Sequence, residues 1–596
     1  MKIYLKSVVI KYLIPVIFVS AAIFRLYGLN WDQNQHLHPD ERFLTMVVQA
    51  LKWPPGFLEY VNSEVSTLNP NNAGYSFFVY GTFPLILIKF LAGFIQINQF
   101  DYHNITLVGR LFSAIFDLGT LLVIFLIGKK IFDKKTALIA GFIYAFSVLC
   151  IQLSHFFTVD TFLSFFLLLS FYFLLKYSDC KKPFVFCLMA GVSFGLALSC
   201  KISALLFLPV VVLLFLFFSN RHKKPGFAFL YLTAFFVFSY LSFRLADPHV
   251  FRGENIFIPK INPHFVQNLK DLKSFDDPDG FFPPAVQWIN TKPILFPFKN
   301  LFLWGLGPLS GVIAIISILY HGYSLTKKIP KIFTKHKLKL FDHVSAEDKV
   351  LFLALFWIIF LFIYQGVQFT KTMRYFHPIF PFLAVVSGVF LRKCFTVLEK
   401  KISNKTISGS LVLFFIFSIL IWPLSFISIY SRPHSRVIAS EWIYDNIPPG
   451  SILSCEHWDD CLPLSVSGKS HQIYVTETLE LYNPDTQQKW EKIGKQMKNI
   501  DYLIMSSNRL WGSIPKVPER YPVSSRFYND LFSGNLPFEK VAEITSYPTV
   551  PILRIPIRDD NADEAFTVYD HPRVLIYKKN ESADLRDFLR QHFPDL

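Results

Sequence analysis

The chain is 596 residues long, 52% hydrophobic and 17% aromatic, with 67 Phe. This is too apolar for a soluble protein of several domains, and apolar runs of about 20 residues, the length that crosses a bilayer, recur along it. The net charge of +16 sits mostly in short loops between those runs, which excludes a nucleic-acid binder and fits a membrane protein with basic cytoplasmic loops.

Charge bias sets the expected topology. Lys2, Lys6 and Lys11 put the N-terminus in the cytoplasm. With no small-residue cleavage site in view, 8–29 is expected as a retained first span crossing outward. Just beyond it stands His38-Pro39-Asp40-Glu41-Arg42, in a first external loop expected over 30–103. Two adjacent carboxylates and a guanidinium beside a bilayer are costly, and such groups tend to be kept for function. The apolar run 77–94 carries Gly81, Pro84 and Lys89. If it crossed, Lys129, Lys130, Lys134 and Lys135 would end outside, so 77–97 is expected as a helix lying on the outer surface or re-entering it. Runs near 104–128, 136–153, 159–177, 184–199, 202–219, 227–245, 300–320, 349–367, 375–391 and 408–430 then leave the basic clusters at 129–135, 181–182, 221–224, 327–339 and 392–393 inside. The expectation is an α-helical polytopic membrane protein of the plasma (inner) membrane with about eleven transmembrane helices.

From about 431 the composition turns polar, and no span-length run follows. Segments 451–454, 502–506 and 574–577 read as strands, and 440–447 and 487–497 as helices. The division expected is a transmembrane domain over 1–430 and an extracytoplasmic α/β domain over 431–596, long enough to bury its own core. The seven Cys show no metal-ligand spacing. Cys455 and Cys461 share the external region, where they either form a disulfide or stand as two free thiols.

On this topology the notable polar residues share the outer face: Asp40, Glu41 and Arg42; His155 and Asp160; Lys201; Arg244, Asp247 and His249; Lys371, Arg374 and His377. Each has a plainer reading. Asp40 or Glu41 could cap a helix after Pro39, and Asp160 could cap the span that follows it. Lys201 and Arg374 could snorkel to headgroups, and the histidines could be structural.

The order of these blocks resembles the GT-C superfamily, in the protein O-mannosyltransferase and aminoarabinose-transferase-like branch. His38-Pro39-Asp40-Glu41 resembles that family's first-loop acidic motif. Phe83-Pro84-Leu85, Arg110-Leu111-Phe112-Ser113-Ala114 and the 154–166 segment with Asp160 resemble three further blocks. Gly195 to Lys201 and Arg374-Tyr375-Phe376 to Pro381 resemble two more. His155 stands where many members have Arg. The match covers roughly 1–430, and 431 onward resembles no module of assignable function.

The resemblance implies a donor sugar on a polyprenyl phosphate at the outer leaflet. It implies as acceptor a hydroxyl of a protein, lipid or glycan. Asp40 is the first choice of general base, with Glu41 the alternate. Asp160 would bind the acceptor or orient a partner, completing a catalytic set of Asp40, Glu41 and Asp160. Arg42, Lys201, Arg374 and His155 form the substrate-binding set, the cations stabilising the leaving phosphate. A single displacement would invert the anomeric centre. No cofactor is firmly implied, no metal ligands are assigned, and a divalent metal is left open. The competing expectations are a lipid or amphiphile transporter and a non-catalytic membrane scaffold.

Overall fold

The structure, a computed structural model, describes the whole chain except residues 1, 96–100, 178–181, 219–224, 281, 329–343, 403, 581–585 and 594–596. The expected basic clusters at 221–224 and 331–339, and Lys181, lie outside the described residues.

The first 430 residues are almost entirely helical. Among the described residues six helices are long and apolar enough to cross a membrane: Tyr102–Ile131, Asp160–Tyr177, Phe229–Ala246, Pro308–Thr326, Met373–Lys401 and the apolar part of Lys405–Asn446. Lys134–Ala145 and Val148–Ser154 form a pair bent by 61°, a broken span or a re-entrant turn. The expected spans near 184–199 and 202–219 are shorter apolar helices, Pro183–Leu198 and Ile202–Phe218. At 1.5 Å per residue these reach only about 24–26 Å, less than the ~30 Å of a hydrocarbon core. By length and composition six or seven spans are found among the described residues, and the expected runs at 8–29 and 349–367 lie on single helices, Lys2–Leu26 and Ala346–Gly366. Phe83–Ile95 has 13 residues, about 20 Å, again too short to cross.

Local sequence explains the helix ends. Asp101, Asp133, Ser345 and Asn404 each accept a backbone N–H in the first turn of the helix they precede, which satisfies otherwise orphaned donors. The closest helix seam comes from Gly191 and Gly195. A Cβ on either would lie 2.6 Å from the Phe235 carbonyl or 2.3 Å from that of Ser239. Two glycines four apart let Pro183–Leu198 press its backbone onto Pro225–Ala246, the close approach that small residues permit inside membranes.

After the helix Lys405–Ile427, the chain enters a five-stranded sheet ordered β2-β1-β3-β7-β4: β1 Ile452–Glu456, β2 Val475–Leu479, β3 Tyr502–Met505, β4 Phe538–Ile544 and β7 Val574–Lys579. β1 pairs parallel with β2 and β3; β7 runs antiparallel between β3 and β4. Alternation puts Leu453, Ile504 and Ile576 on one face, against Ile443 and Ile447. Leu503, Met505 and Leu575 face the other core, with Trp490, Met497 and Phe527. A separate hairpin pairs β5 Thr549–Val550 with β6 Ile555–Pro556. Cys455 and Cys461 are joined as a disulfide.

The two regions share buried polar contacts. The Asp563 carboxylate accepts the Met373 N–H at 2.7 Å, and the Asp563 N–H donates to Asn300 Oδ1 at 2.8 Å. Gln152 Nε2 donates to the Phe566 carbonyl and to Asp570, which also accepts the Tyr430 hydroxyl.

The strongest polar contact within the helical region is a clamp on Arg110. Its guanidinium donates to Asp32 at 2.7 and 3.1 Å and to Glu41 at 2.5 and 2.9 Å, and all three groups are buried. Removing one partner of such a set strands a buried charge, which costs about 3–5 kcal/mol. Arg110→Met is therefore expected to lower the thermal unfolding midpoint of the detergent-solubilised protein markedly. Glu41→Gln, which keeps an acceptor and leaves Asp32 paired, is expected to lower it less.

Candidate active site

The helix Pro39–Ala50 starts where the acidic motif predicts, but its cap is His38, whose Nδ1 accepts the Glu41 N–H at 3.3 Å. The imidazole is buried between Phe156 and Tyr569. Burial pushes it down to about 3 despite nearby Asp40, so it stays neutral and keeps the lone pair that the cap requires. Asp40 and Glu41 then occupy the first turn and diverge, because successive helical residues point about 100° apart.

Glu41 turns inward. It accepts from Arg110 and from the Phe157 N–H at 2.8 Å. Its oxygens are engaged by the clamp, so the expectation of Glu41 as an alternate base is corrected: it is a buried structural anion. Asp40 turns the other way and forms an ion pair with Arg374, both groups partly exposed. Burial opposes the charge on Asp40, but Arg374, His38 and the Tyr80 hydroxyl outweigh it and hold the carboxyl below the usual carboxylate range.

Arg374 lies on the turn Met373–Ile379, where the Met373 N–H is held by Asp563. The ring of the next residue, Tyr375, faces two cations: Arg374 Cζ at 5.6 Å and Lys201 Nζ at 4.3 Å from its centroid. Lys201 also donates to Asp160 Oδ1 at 3.3 Å. Asp160 is buried at the first residue of its helix, whose positive end favours a carboxylate there. Arg374 is within electrostatic reach of both Asp40 and Asp160. Four residues from four separate stretches thus form one alternating cluster: Asp40, Arg374, Lys201 and Asp160. Tyr375 and Tyr80 form its aromatic wall.

The other expected residues are occupied elsewhere. Buried His155 sets its ring nitrogens 2.8 Å from the Ile151 carbonyl and 3.0 Å from that of Tyr27, and stacks on Tyr430 at 3.9 Å. This corrects its substrate-binding assignment, since no ring nitrogen is left to meet a ligand. Arg42 donates to the His36 carbonyl at 2.9 Å and pairs with Asp460 at 2.8 Å, joining the first loop to the α/β domain. Arg244 is spent on the Val61, Pro248 and Gly253 carbonyls, Asp247 accepts the Thr82 hydroxyl, and Lys371 donates to the Gln368 and Phe369 carbonyls.

Sequence reasoning misses two groups. Asp117, Cys150 and His377 bring three ligand-type atoms within 4.8 Å of one another. The Arg25 guanidinium already donates to Asp117 at 2.5 Å, as does the Tyr144 hydroxyl, so the carboxylate is already neutralised there without a metal cation. The second group is His571, buried with Nδ1 2.5 Å from Asp570 and Nε2 2.8 Å from Asp559. These two sit in the segment that docks on Met373, behind the cluster. No spacing in the sequence points to either, since their partners converge only in the fold.

Residues 84–243 match the family model described as dolichyl-phosphate-mannose-protein mannosyltransferase. The oligosaccharyltransferase AglB of Archaeoglobus fulgidus, in complex with an inhibitory peptide and a dolichol-phosphate, superposes with a TM-score of 0.50 at 14% identity, over 89% of this chain and 73% of that one. The fold is similar to that of this oligosaccharyltransferase. The same AglB tethered to an acceptor peptide containing the NVT sequon gives 0.51 at 13% identity, over 88% and 72%. ArnT from Cupriavidus metallidurans bound to undecaprenyl phosphate gives 0.43 at 13% identity, over 96% and 98%. No curated protein sequence matches the chain. The segment matched by the family model carries Asp160 and Lys201, while Asp40 and Arg374 flank it on either side.

His571 supplies a pH test of the docked segment. Burial alone would lower its pKa, but Asp559 and Asp570 outweigh burial and raise it to about 10. A value above the ordinary ~6.5 contributes stability that is complete below about pH 6.5 and is lost as pH rises towards 10. The thermal midpoint is therefore expected to fall across pH 6.5–10, and His571→Gln should flatten that fall while lowering the midpoint at pH 6.5.

Proposed function

We propose that this chain is a membrane glycosyltransferase that moves a sugar from a polyprenyl-phosphate donor to an acceptor hydroxyl, with inversion, at the outer face of the plasma (inner) membrane. The N-terminus is cytoplasmic on this reading and the α/β domain extracytoplasmic. The observation that carries it is the partly exposed Asp40–Arg374–Lys201–Asp160 cluster, set at helix starts and turns. A transporter would instead distribute such charges along mid-span helix faces. The dolichol-phosphate held by the similar AglB structure supports a lipid-phosphate donor.

The geometry suggests the order of events. Arg374 is held by Asp40. A donor phosphate competing for that guanidinium, and for Lys201, would take it by charge-assisted hydrogen bonds. Asp40, losing its partner in a half-desolvated place, would then rise towards a more basic value. Freed from the pair, the carboxylate can take the acceptor's proton as the bond to the anomeric carbon forms. The transition state has oxocarbenium character. The C–O bond to phosphate breaks, and the electron pair goes to a phosphate oxygen stabilised by Arg374 and Lys201. Asp160 keeps Lys201 oriented and balances its charge. Acceptor class and sugar identity are set by surfaces beyond this cluster.

Asp40→Asn is expected to cut transfer by roughly 10²–10⁴-fold while the protein still inserts and keeps its thermal midpoint within a few degrees. Glu41→Gln is expected to keep most activity per folded molecule. Arg374→Lys, which loses bidentate phosphate contact, should raise the apparent KM for the lipid donor. Transfer of labelled sugar from a polyprenyl-phosphate donor in proteoliposomes reads all three. Full activity of Asp40→Asn would remove it as the base.

A further inference from the structure

The hairpin β5–β6 has no place in the chemistry and buries almost nothing at its tip. Ile552 is 96% exposed, Leu553 67% and Ile555 54%. The turn holds Ile552 at φ +67°, a region that β-branched residues rarely adopt. A two-stranded ribbon is marginal in water, and three exposed large aliphatic residues within four positions mark a surface meant to be covered.

Its location says by what. β5 packs against the membrane-spanning helix Lys405–Ile427, and the Thr549 N–H donates to Ser428 Oγ at 3.0 Å, where that helix ends. The helix itself exposes Phe414, Phe417 and Ile421, so the hairpin tip continues an apolar surface that already faces lipid. Exposed Arg554 and Arg558 flank the tip. At its base Arg432 donates to the Tyr547 carbonyl at 2.7 Å, and Arg558 lies 5.9 Å from the Tyr547 ring centroid. An apolar tip with a basic, aromatic collar matches acyl chains beneath anionic headgroups.

We propose that the 549–556 hairpin is a lipid-seated foot of the α/β domain: Ile552, Leu553 and Ile555 enter the outer leaflet beside the Lys405–Ile427 helix, and Arg554 and Arg558 bind headgroup phosphates. The chain reaches Asp559 three residues after β6. The foot thereby sets the height of the segment that docks on Met373.

The test uses full-length protein with Cys394→Ser, which removes the one exposed free thiol among the described residues. Leu553→Cys is labelled with an environment-sensitive fluorophore, and the protein is reconstituted in nanodiscs of phosphatidylcholine with phosphatidylglycerol. Glu539→Cys, on exposed β4, is the aqueous control. The expected result is a blue-shifted probe at 553, quenched several-fold more by acyl-chain nitroxide lipids than the control and shielded from iodide. Removing phosphatidylglycerol should weaken nitroxide quenching in the parent and leave it unchanged in an Arg554→Gln, Arg558→Gln background. Iodide quenching equal at both sites, with no nitroxide quenching at 553, overturns the proposal. Shielding that appears only at high protein-to-lipid ratio, with 553-to-553 crosslinks, also overturns it in favour of a second copy of the chain.

Discussion

Two adjacent carboxylates leave one helix start on different sides, and that divergence organises this protein. Pro39 and the His38 cap start a helix at the acidic motif, so Asp40 and Glu41 leave it about 100° apart. One carboxylate goes to a buried guanidinium and holds the Pro39–Ala50 helix to the Tyr102–Ile131 helix. The other goes to a partly exposed guanidinium that a ligand can contest. The two ion pairs look alike on paper and have opposite uses. Arg110 is enclosed by two anions and cannot be withdrawn without stranding them, whereas Arg374 has one anion in contact and an outlet to solvent.

The cations follow the same logic. Lys201 and Arg374 come from stretches more than 170 residues apart in sequence, yet both face the ring of Tyr375. Cation–ring contact adds attraction without neutralising charge, so both groups keep their positive charge beside the ring. Asp160 supplies the counter-charge for Lys201 from a buried helix start, so the cluster stays close to neutral overall.

Much of this was legible in the sequence. Apolar runs, basic loops and the polar tail foretold a helical membrane region followed by an α/β domain, and β1, β3 and β7 lie where alternation places strands. Asp40, Asp160, Lys201 and Arg374 were singled out as residues of one membrane face, and the fold brings them together. What the sequence withheld was direction. No pattern distinguishes Glu41 from Asp40, because the difference lies in which side of the helix meets Arg110. The binding assignment of His155 failed because two backbone carbonyls close on its ring, a contact made by atoms that every residue carries. Hydropathy registers apolar length and not the turns that break it, as in the bent pair at 134–154. The His571 group was invisible because Asp559 and Asp570 face it only after the chain has turned back.

The bond from the Asp563 carboxylate to the Met373 amide has a consequence for how far the molecule can be dissected. A carboxylate of the α/β region fixes the backbone of the residue before Arg374, so that turn is shaped from outside the helical bundle. Deleting the α/β half would leave that turn without its anchor and the buried Asn300 amide oxygen without its donor. A bundle excised after the Lys405–Ile427 helix would therefore carry Arg374 on a turn that has lost this backbone contact.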